Sequence, residues 1–342
     1  MKHIIGKVAE GRNLTMEEAE EAGTLLMEGR ASEAEMAAFL TAMRMKGETA
    51  EEIAAMARVM REKCRHVRAP ENTMDLCGTG GARVKTYNVS TVSSVIVASA
   101  GIPVAKHGNR SFTSRSGSAD LLQALGVNIS IEPDAAAEML LRNGITFLFA
   151  PLYHPATRNV SPVRKALAFR TVFNILGPIT NPAMVSRQLV GVFSDAYMDK
   201  IAEALLLLGT ERAMVAHGTL GMDEISPSGR TEVAEVRNGG IERYSIDGSD
   251  YSSLGTGEWS PPHAAGPDES ASFANRVLNG ESGAGERSIV LLNAGAALYI
   301  AGVASTIERG MEKALESIDS GKAERKMSEF IRCSAAGGDV SG

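Results

Sequence analysis

At about 150 residues per domain, a chain of 342 residues predicts two domains. Its 35 Lys and Arg against 41 Asp and Glu leave a net charge of −6, and 5% aromatics with a single Trp leave few stacking platforms, which argues against a sequence-independent nucleic-acid binder. Hydrophobic residues at 44% exclude wholesale disorder. Cys64, Cys77 and Cys333 match no metal or redox spacing, and so sparse and odd a set suits a reducing compartment. The chain lacks an apolar signal core near Met1 and an unbroken run of 18 apolar residues, so a soluble, cytoplasmic protein is expected.

The first 68 residues read as helices only. Three capping boxes follow in series, Thr15 with Glu18, Ser32 with Glu35 and Thr49 with Glu52. Apolar residues at helical spacing follow each, and Gly29 and Gly47 close the first two helices. These helices carry more apolar face than so few can bury among themselves.

Beyond Ala69-Pro70 the texture changes. A short strand over 73–77 runs into Gly78-Thr79-Gly80-Gly81, and a helix over 90–100 follows. A strand over 102–106 and a helix over 118–125 come next, then a helix from Pro133 that closes at Gly144. Strands are expected over 146–150 and 188–193, a helix capped by Ser194 over 195–208, and a strand over 212–217. Residues 231–247 read as two strands around Asn238-Gly239-Gly240, a hairpin signal. Residues 248–267 read as a surface excursion, and the chain is helical again from about 270 to a polar tail over 335–342. Alternating strands and helices predict an α/β domain with a mainly parallel central sheet over 70–342, and a small all-helical domain over 1–69 joined by helices from about 162–185.

Four stretches carry candidate chemistry. Gly78–Gly81, a turn directly after a strand, is followed by Asn88-Val89-Ser90-Thr91 at a helix start. Such glycines let backbone amides approach a ligand, and a helix N-terminus favours anions, so phosphate binding competes with an ordinary tight turn and cap. The turn is neither a P-loop nor the dinucleotide fingerprint. Lys106-His107-Gly108-Asn109-Arg110 and the Ser- and Arg-rich residues up to Ser118 sit at the next strand end, where a polyanion such as a diphosphate fits. The alternative there is a flexible solvated loop. Met222-Asp223-Glu224 offers adjacent carboxylates to Mg²⁺, although acidic pairs are common on surfaces. Arg164, near a helix start, has the fork geometry for a carboxylate or is an ordinary surface arginine.

In that order, Gly78–Gly81, Thr86 with Asn88–Thr91, Lys106–Arg110, Arg164, Asn174–Pro178 and Met222–Glu224 make the chain resemble the anthranilate phosphoribosyltransferases over nearly its whole length. The resemblance implies transfer of a phosphoribosyl group from phosphoribosyl diphosphate to the amine of anthranilate, in tryptophan synthesis. It assigns the diphosphate donor to Gly78, Gly81, Thr86, Asn88, Ser90, Thr91, Lys106, Ser114 and Ser118. It assigns Mg²⁺ to Ser90, Asp223 and Glu224, and anthranilate to Gly78, Asn109, His154 and Arg164. Lys106, His107 and Arg164 form the expected catalytic set, and a homodimer through the helical domain is implied.

One position departs from the family pattern. Ala82 stands where the family usually has Asp, with Arg83, Val84 and Lys85 after it. Arg83 or Lys85 is therefore expected to contact the diphosphate directly. Two rivals share the general architecture or lack the chemistry: a pyrimidine nucleoside phosphorylase, whose loop differs, and a non-catalytic relative that binds nucleic acid. Only the cluster Arg58, Arg61, Lys63, Arg65 and Arg68 favours the latter.

Overall fold

The computed structural model describes residues 1–111, 115–254, 259–260 and 266–336. Four helices open the chain, α1 (Lys2–Ala9), α2 (Met16–Met27), α3 (Glu33–Lys46) and α4 (Ala50–Glu62). All three capping boxes form: Thr15, Ser32 and Thr49 each accept from the N3 amide while Glu18, Glu35 and Glu52 return to the cap amide. Helix α1 has no capping side chain, and so no local signal announces it. Glu52 does more than cap: its buried carboxylate also accepts from the Leu14 amide at 2.8 Å and pairs with Lys46 at 2.8 Å.

The α/β region runs β1 (Met74–Gly78), α5 (Val89–Ser99), β2 (Val104–Gly108), α6 (Ser118–Ala124), α7 (Pro133–Asn143), β3 (Ile145–Phe149), α8 (Ala150–Tyr153), α9 (Ser161–Leu167), α10 (Phe173–Leu176), β4 (Arg187–Gly191), α11 (Met198–Leu207) and β5 (Arg212–Gly218). The hairpin β6 (Arg230–Arg237) and β7 (Gly240–Asp247) follows, and α12 (Pro267–Leu278), α13 (Ala284–Ile300), α14 (Ile307–Asp319) and α15 (Lys322–Ala336) close the fold. The seven-stranded sheet has the order β3-β2-β1-β4-β5-β6-β7; the first five strands are parallel and the last two antiparallel. Asn238 and Gly239, with φ of 52° and 74°, make the two-residue turn that joins β6 to β7.

Side chains alternate across the sheet, so each face builds its own core. Leu76, Leu189, Met214 and Val233 pack with α5 and α13. Val190, Val215, Ala234 and Val236 pack on the opposite face with α2, α4 and α11. The apolar faces of residues 1–68 are therefore buried within their own chain, with Met45 the large apolar side chain left exposed there. As expected, these helices do not bury their apolar faces among themselves: the sheet and α11 supply the remaining cover.

Two expected elements shift. Strand β2 begins at Val104, since Pro103 has no amide for the ladder and offers its carbonyl to Met74 instead. The helix expected from Asp195 opens as a single 3₁₀ turn before α11, and Ser194 does not cap it with its side chain: the Ser194 hydroxyl turns to Asp195, whose Oδ1 accepts from the Ala196 amide.

Along the chain the sheet grows outward from β1 to β3, then crosses to β4 on the other side of β1. That reversal opens a crevice at the carboxyl ends of β1 and β4, the place where open α/β sheets bind ligands. Gly78 and Gly191 are paired there in register. An added Cβ at Gly78 would lie 2.7 Å from the Asp223 carboxylate, and one at Gly191 would overlap the Asp223 carbonyl oxygen. Glycine at both strand ends is what lets the β5–β6 loop close over the crevice.

Candidate active site

A cavity of about 320 Å³ occupies this crevice. Its walls are the β1–α5 turn, the end of β2, the segment from α9 to α10, and the Asp223-Glu224 loop. The β1–α5 turn bends through Gly80 and Gly81, with φ of 66° and 76°. Its neighbours hold it on several sides: the Thr79 amide donates to the Gly191 carbonyl, the Gly80 amide to Asp223 Oδ2 at 3.0 Å, and the Arg83 and Val84 amides to the Gly221 carbonyl. Asn88 sits at the start of α5 in the left-handed region, φ 56°, without capping the helix. Its side chain instead grips Ser116, donating to the backbone carbonyl at 3.2 Å and accepting from the hydroxyl at 3.1 Å. Ser90 and Thr91, in the first turn of α5, line the cavity, and the buried Thr91 hydroxyl has no protein partner. An uncapped helix start with free hydroxyls suits an anion.

Lys106 and His107 reach the cavity from β2. Lys106 is 3% exposed and donates to the His107 carbonyl at 3.1 Å. A charge so deep needs a counter-charge, and Asp75 on β1 supplies it. Asp75 accepts from the His107 amide at 3.2 Å and from Asn181 at 2.8 Å. Burial raises its carboxyl to about 6, against the pull of Lys106. His107 Nδ1 bonds the Gly177 carbonyl at 3.0 Å, and burial, then His154, hold the ring well below the usual imidazole range. His107 is thus a neutral ring whose Nδ1 donates and whose Nε2 has no protein partner.

Asp223 and Glu224 face the cavity from the β5–β6 loop. Thr86 donates to Glu224 Oε1 at 2.5 Å, whereas Oε2 is buried without a partner. Burial raises both carboxyls, and Asp223 raises Glu224 further by like-charge repulsion. Arg164, which also lines the cavity, lies over the Phe173 ring at 5.2 Å, and burial lowers its guanidinium's affinity for its proton. A desolvated guanidinium beside an aromatic ring is a receptor for an aromatic carboxylate.

Of the residues expected from sequence, Gly78, Gly81, Lys85, Thr86, Asn88, Ser90, Thr91, Lys106, His107, Asn109, Ser118, Arg164, Asp223 and Glu224 line this one cavity. His154 stands behind it: its ring is 5.1 Å from that of His107, buried, and is held down to about 4 by burial. Arg83 is exposed and outside the lining, so of the two cations after Ala82 only Lys85 faces the cavity. Ser114 lies outside the described residues. In the basic cluster near α4, Arg58, Arg61, Lys63 and Arg65 bond Glu20, the Ile179 carbonyl, Glu28 and Glu132, and Arg68 is exposed.

Sequence reasoning missed Asp75, Asn181 and Arg170. Asp75 was legible as a charge inside an apolar strand, which demands a buried partner; Arg170 had no local signal at all.

Residues 70–324 match the glycosyl transferase family, a/b domain, and residues 2–64 match the helical bundle domain of the same family. The anthranilate phosphoribosyltransferase of Rubrobacter xylanophilus is 48% identical over 98% of this chain and 97% of its own length. The crystal structure of the Thermus thermophilus enzyme of that name superposes with a TM-score of 0.89 at 38% identity, over 97% of this chain and 99% of the other. The Saccharomyces cerevisiae enzyme in complex with PRPP and Mg follows at a TM-score of 0.83 and 29% identity, over 94% of each chain. With a full-length match in sequence, in both family domains and in fold, the chain belongs to the anthranilate phosphoribosyltransferase family.

Proposed function

We propose that this cavity transfers the 5-phosphoribosyl group from phosphoribosyl diphosphate to the amine of anthranilate, releasing diphosphate. The observation that carries the reading is one cavity lined both by the Gly78–Gly81 turn with the start of α5 and by Arg164 over Phe173. The donor's diphosphate sits on the Gly78–Gly81 turn, Ser90, Thr91 and Lys106, and anthranilate presents its carboxylate to Arg164 near Asn109.

The residues present fit Mg²⁺. Glu224 Oε2 is a buried carboxylate oxygen with no partner, next to Asp223, and with the Ser90 hydroxyl they offer the hard oxygen ligands this ion prefers. Among the described residues no group of three His, Cys, Asp or Glu could hold a metal, so any further ligands would be substrate oxygens or water. When bound, the ion neutralises charge on the diphosphate.

Breaking the ribose C1–oxygen bond builds negative charge on the departing diphosphate and oxocarbenium character on the sugar. Lys106, with Asp75 as its counter-charge, faces that growing negative charge, together with the Gly81 and Ala82 amides, which bond none of the described residues. Lys85 adds a second cation on the same wall. The anthranilate amine is already unprotonated at neutral pH, so the site needs to place it rather than deprotonate it. Neutral His107 fits that demand, since it adds no positive charge next to the forming cation at C1.

Mixing the protein with anthranilate, phosphoribosyl diphosphate and Mg²⁺ should extinguish anthranilate fluorescence; fluorescence that persists with fresh substrate would discard the reading. A homodimer through the helical region and the division near residue 69 belong to the same proposal. Sedimentation velocity at micromolar protein tests the dimer, and a lone monomer rejects it.

A further inference from the structure

We propose that Arg170 is a positioning residue for the diphosphate-binding turn, acting through the Gly81 carbonyl. This rests on the reading that the turn receives the donor's diphosphate. Arg170 lies between α9 and α10, on the segment that leads from Arg164 to Phe173. Its Nη2 donates to the Gly81 carbonyl at 2.5 Å across 89 residues of sequence. Its guanidinium carbon lies 3.9 Å from the centroid of the Phe193 ring. The Phe193 amide in turn donates to Thr79 Oγ1 at 3.0 Å. Arginine, ring and turn thus form a closed loop of contacts around residues 79–81.

The need for such a clamp follows from the turn's composition. Glycines at 78, 80 and 81 give the backbone freedom that folding must remove, and two of them hold positive φ. The Thr79, Gly80, Arg83 and Val84 amides are fastened by Gly191, Asp223 and Gly221, and Arg170 fastens the Gly81 carbonyl between them. A trans peptide is planar, so fixing that carbonyl also fixes the opposite direction of the Ala82 N–H. Arg170 therefore sets the aim of a turn amide without needing to touch the substrate. Gly81 has to lack a side chain for this contact, because a Cβ there would lie 2.7 Å from Arg170 Nη2. Both partners of Arg170, a carbonyl and a ring, are uncharged, so its charge also adds to the positive field of the cavity it lines.

The decisive experiment is hydrogen–deuterium exchange over residues 78–86 in the substrate-free protein, alongside steady-state kinetics. Arg170→Ala should speed exchange in that segment about tenfold, the worth of one charge-assisted hydrogen bond, and leave β3 and α13 unchanged. KM for phosphoribosyl diphosphate should rise by a similar factor, about tenfold, with KM for anthranilate little altered. Millimolar guanidinium should restore part of the loss in Arg170→Ala. Phe193→Leu, which removes the stacking platform, should show the same pattern more weakly, and it carries the test should Arg170→Ala fail to fold. Unchanged exchange over 78–86 in the folded variants overturns the proposal, even if donor affinity falls, since that pattern means direct substrate contact. The exchange measurement needs no substrate, so it decides the role of Arg170 even where wild-type protein fails to consume anthranilate.

Discussion

Arg164 and His154 sit on either side of the difference between touching the substrate and supporting what touches it. Arg164 is held over Phe173 and desolvated, and in the proposed reaction it receives the carboxylate of anthranilate. Arg164→Ala should therefore raise KM for anthranilate about 10- to 100-fold, the loss of one charge-assisted pair, while kcat changes much less. Steady-state kinetics with the effect mainly in kcat would contradict a ground-state binding role. His154 is buried behind His107 and held neutral, its imidazole lowered from 6.5 to about 4. The unfolded chain takes up a proton near 6.5 while the folded chain resists until about 4, so this group costs nothing at pH 7 and destabilises the fold as pH drops between those values. Integrated to pH 5, the loss is about 2 kcal/mol. His107 shifts in the same direction, with Lys106 and His154 as its charged or titratable neighbours, so wild type loses stability from both rings. Urea melts at pH 7 and pH 5 should show a smaller drop in His154→Gln than in wild type, and equal drops would remove His154 as a source.

At the scale of elements, what was legible in the sequence was what local physics decides. The three capping boxes, the Pro133 helix start with its Gly144 stop, and the Asn238-Gly239 turn all formed because their partners lie within a few residues. The two-residue displacement of β2 traces to Pro103, and α1 escaped notice because nothing caps it. What stayed illegible depends on partners far along the chain: Asn181 on Asp75 is 106 residues away, and Thr86 on Glu224 is 138. The Asn88 side chain, expected to serve the ligand, lines the cavity and also grips Ser116, 28 residues away. Strand ends show the same dependence. Gly191 reads as an ordinary strand glycine, yet a methyl group there would collide with the Asp223 carbonyl oxygen. Gly191→Ala should push the Asp223-Glu224 loop away from the turn and lower kcat/KM roughly 100-fold, the scale of a 1 Å misplacement. Activity within a few-fold of wild type in a folded Gly191→Ala protein would mean that the loop's seat on β4 is not needed.

For the molecule as a whole, the sheet is a shared wall. One face is covered by α5, α12 and α13, and the other receives the N-terminal helices together with α11, so the two cores meet at the strands that end in the cavity. Residues 1–68 need no second chain to bury their apolar faces, which removes that argument for a dimer. The net charge of −6 is likewise an average that hides a local excess: Lys85, Lys106, Arg164 and Arg170 all line a cavity whose acidic members are Asp223 and Glu224. Such a distribution disfavours a long nucleic acid and favours one small, highly charged donor opposite one aromatic acid. That pairing of donor and acceptor in a single cavity is the central claim, and phosphorus NMR of the complete reaction tests it most directly. Phosphoribosyl diphosphate should be consumed and diphosphate released in step with anthranilate, mole for mole, with the donor stable when anthranilate is left out. Diphosphate released at the same rate without anthranilate, or a donor that stays intact with both substrates and Mg²⁺ present, would contradict it.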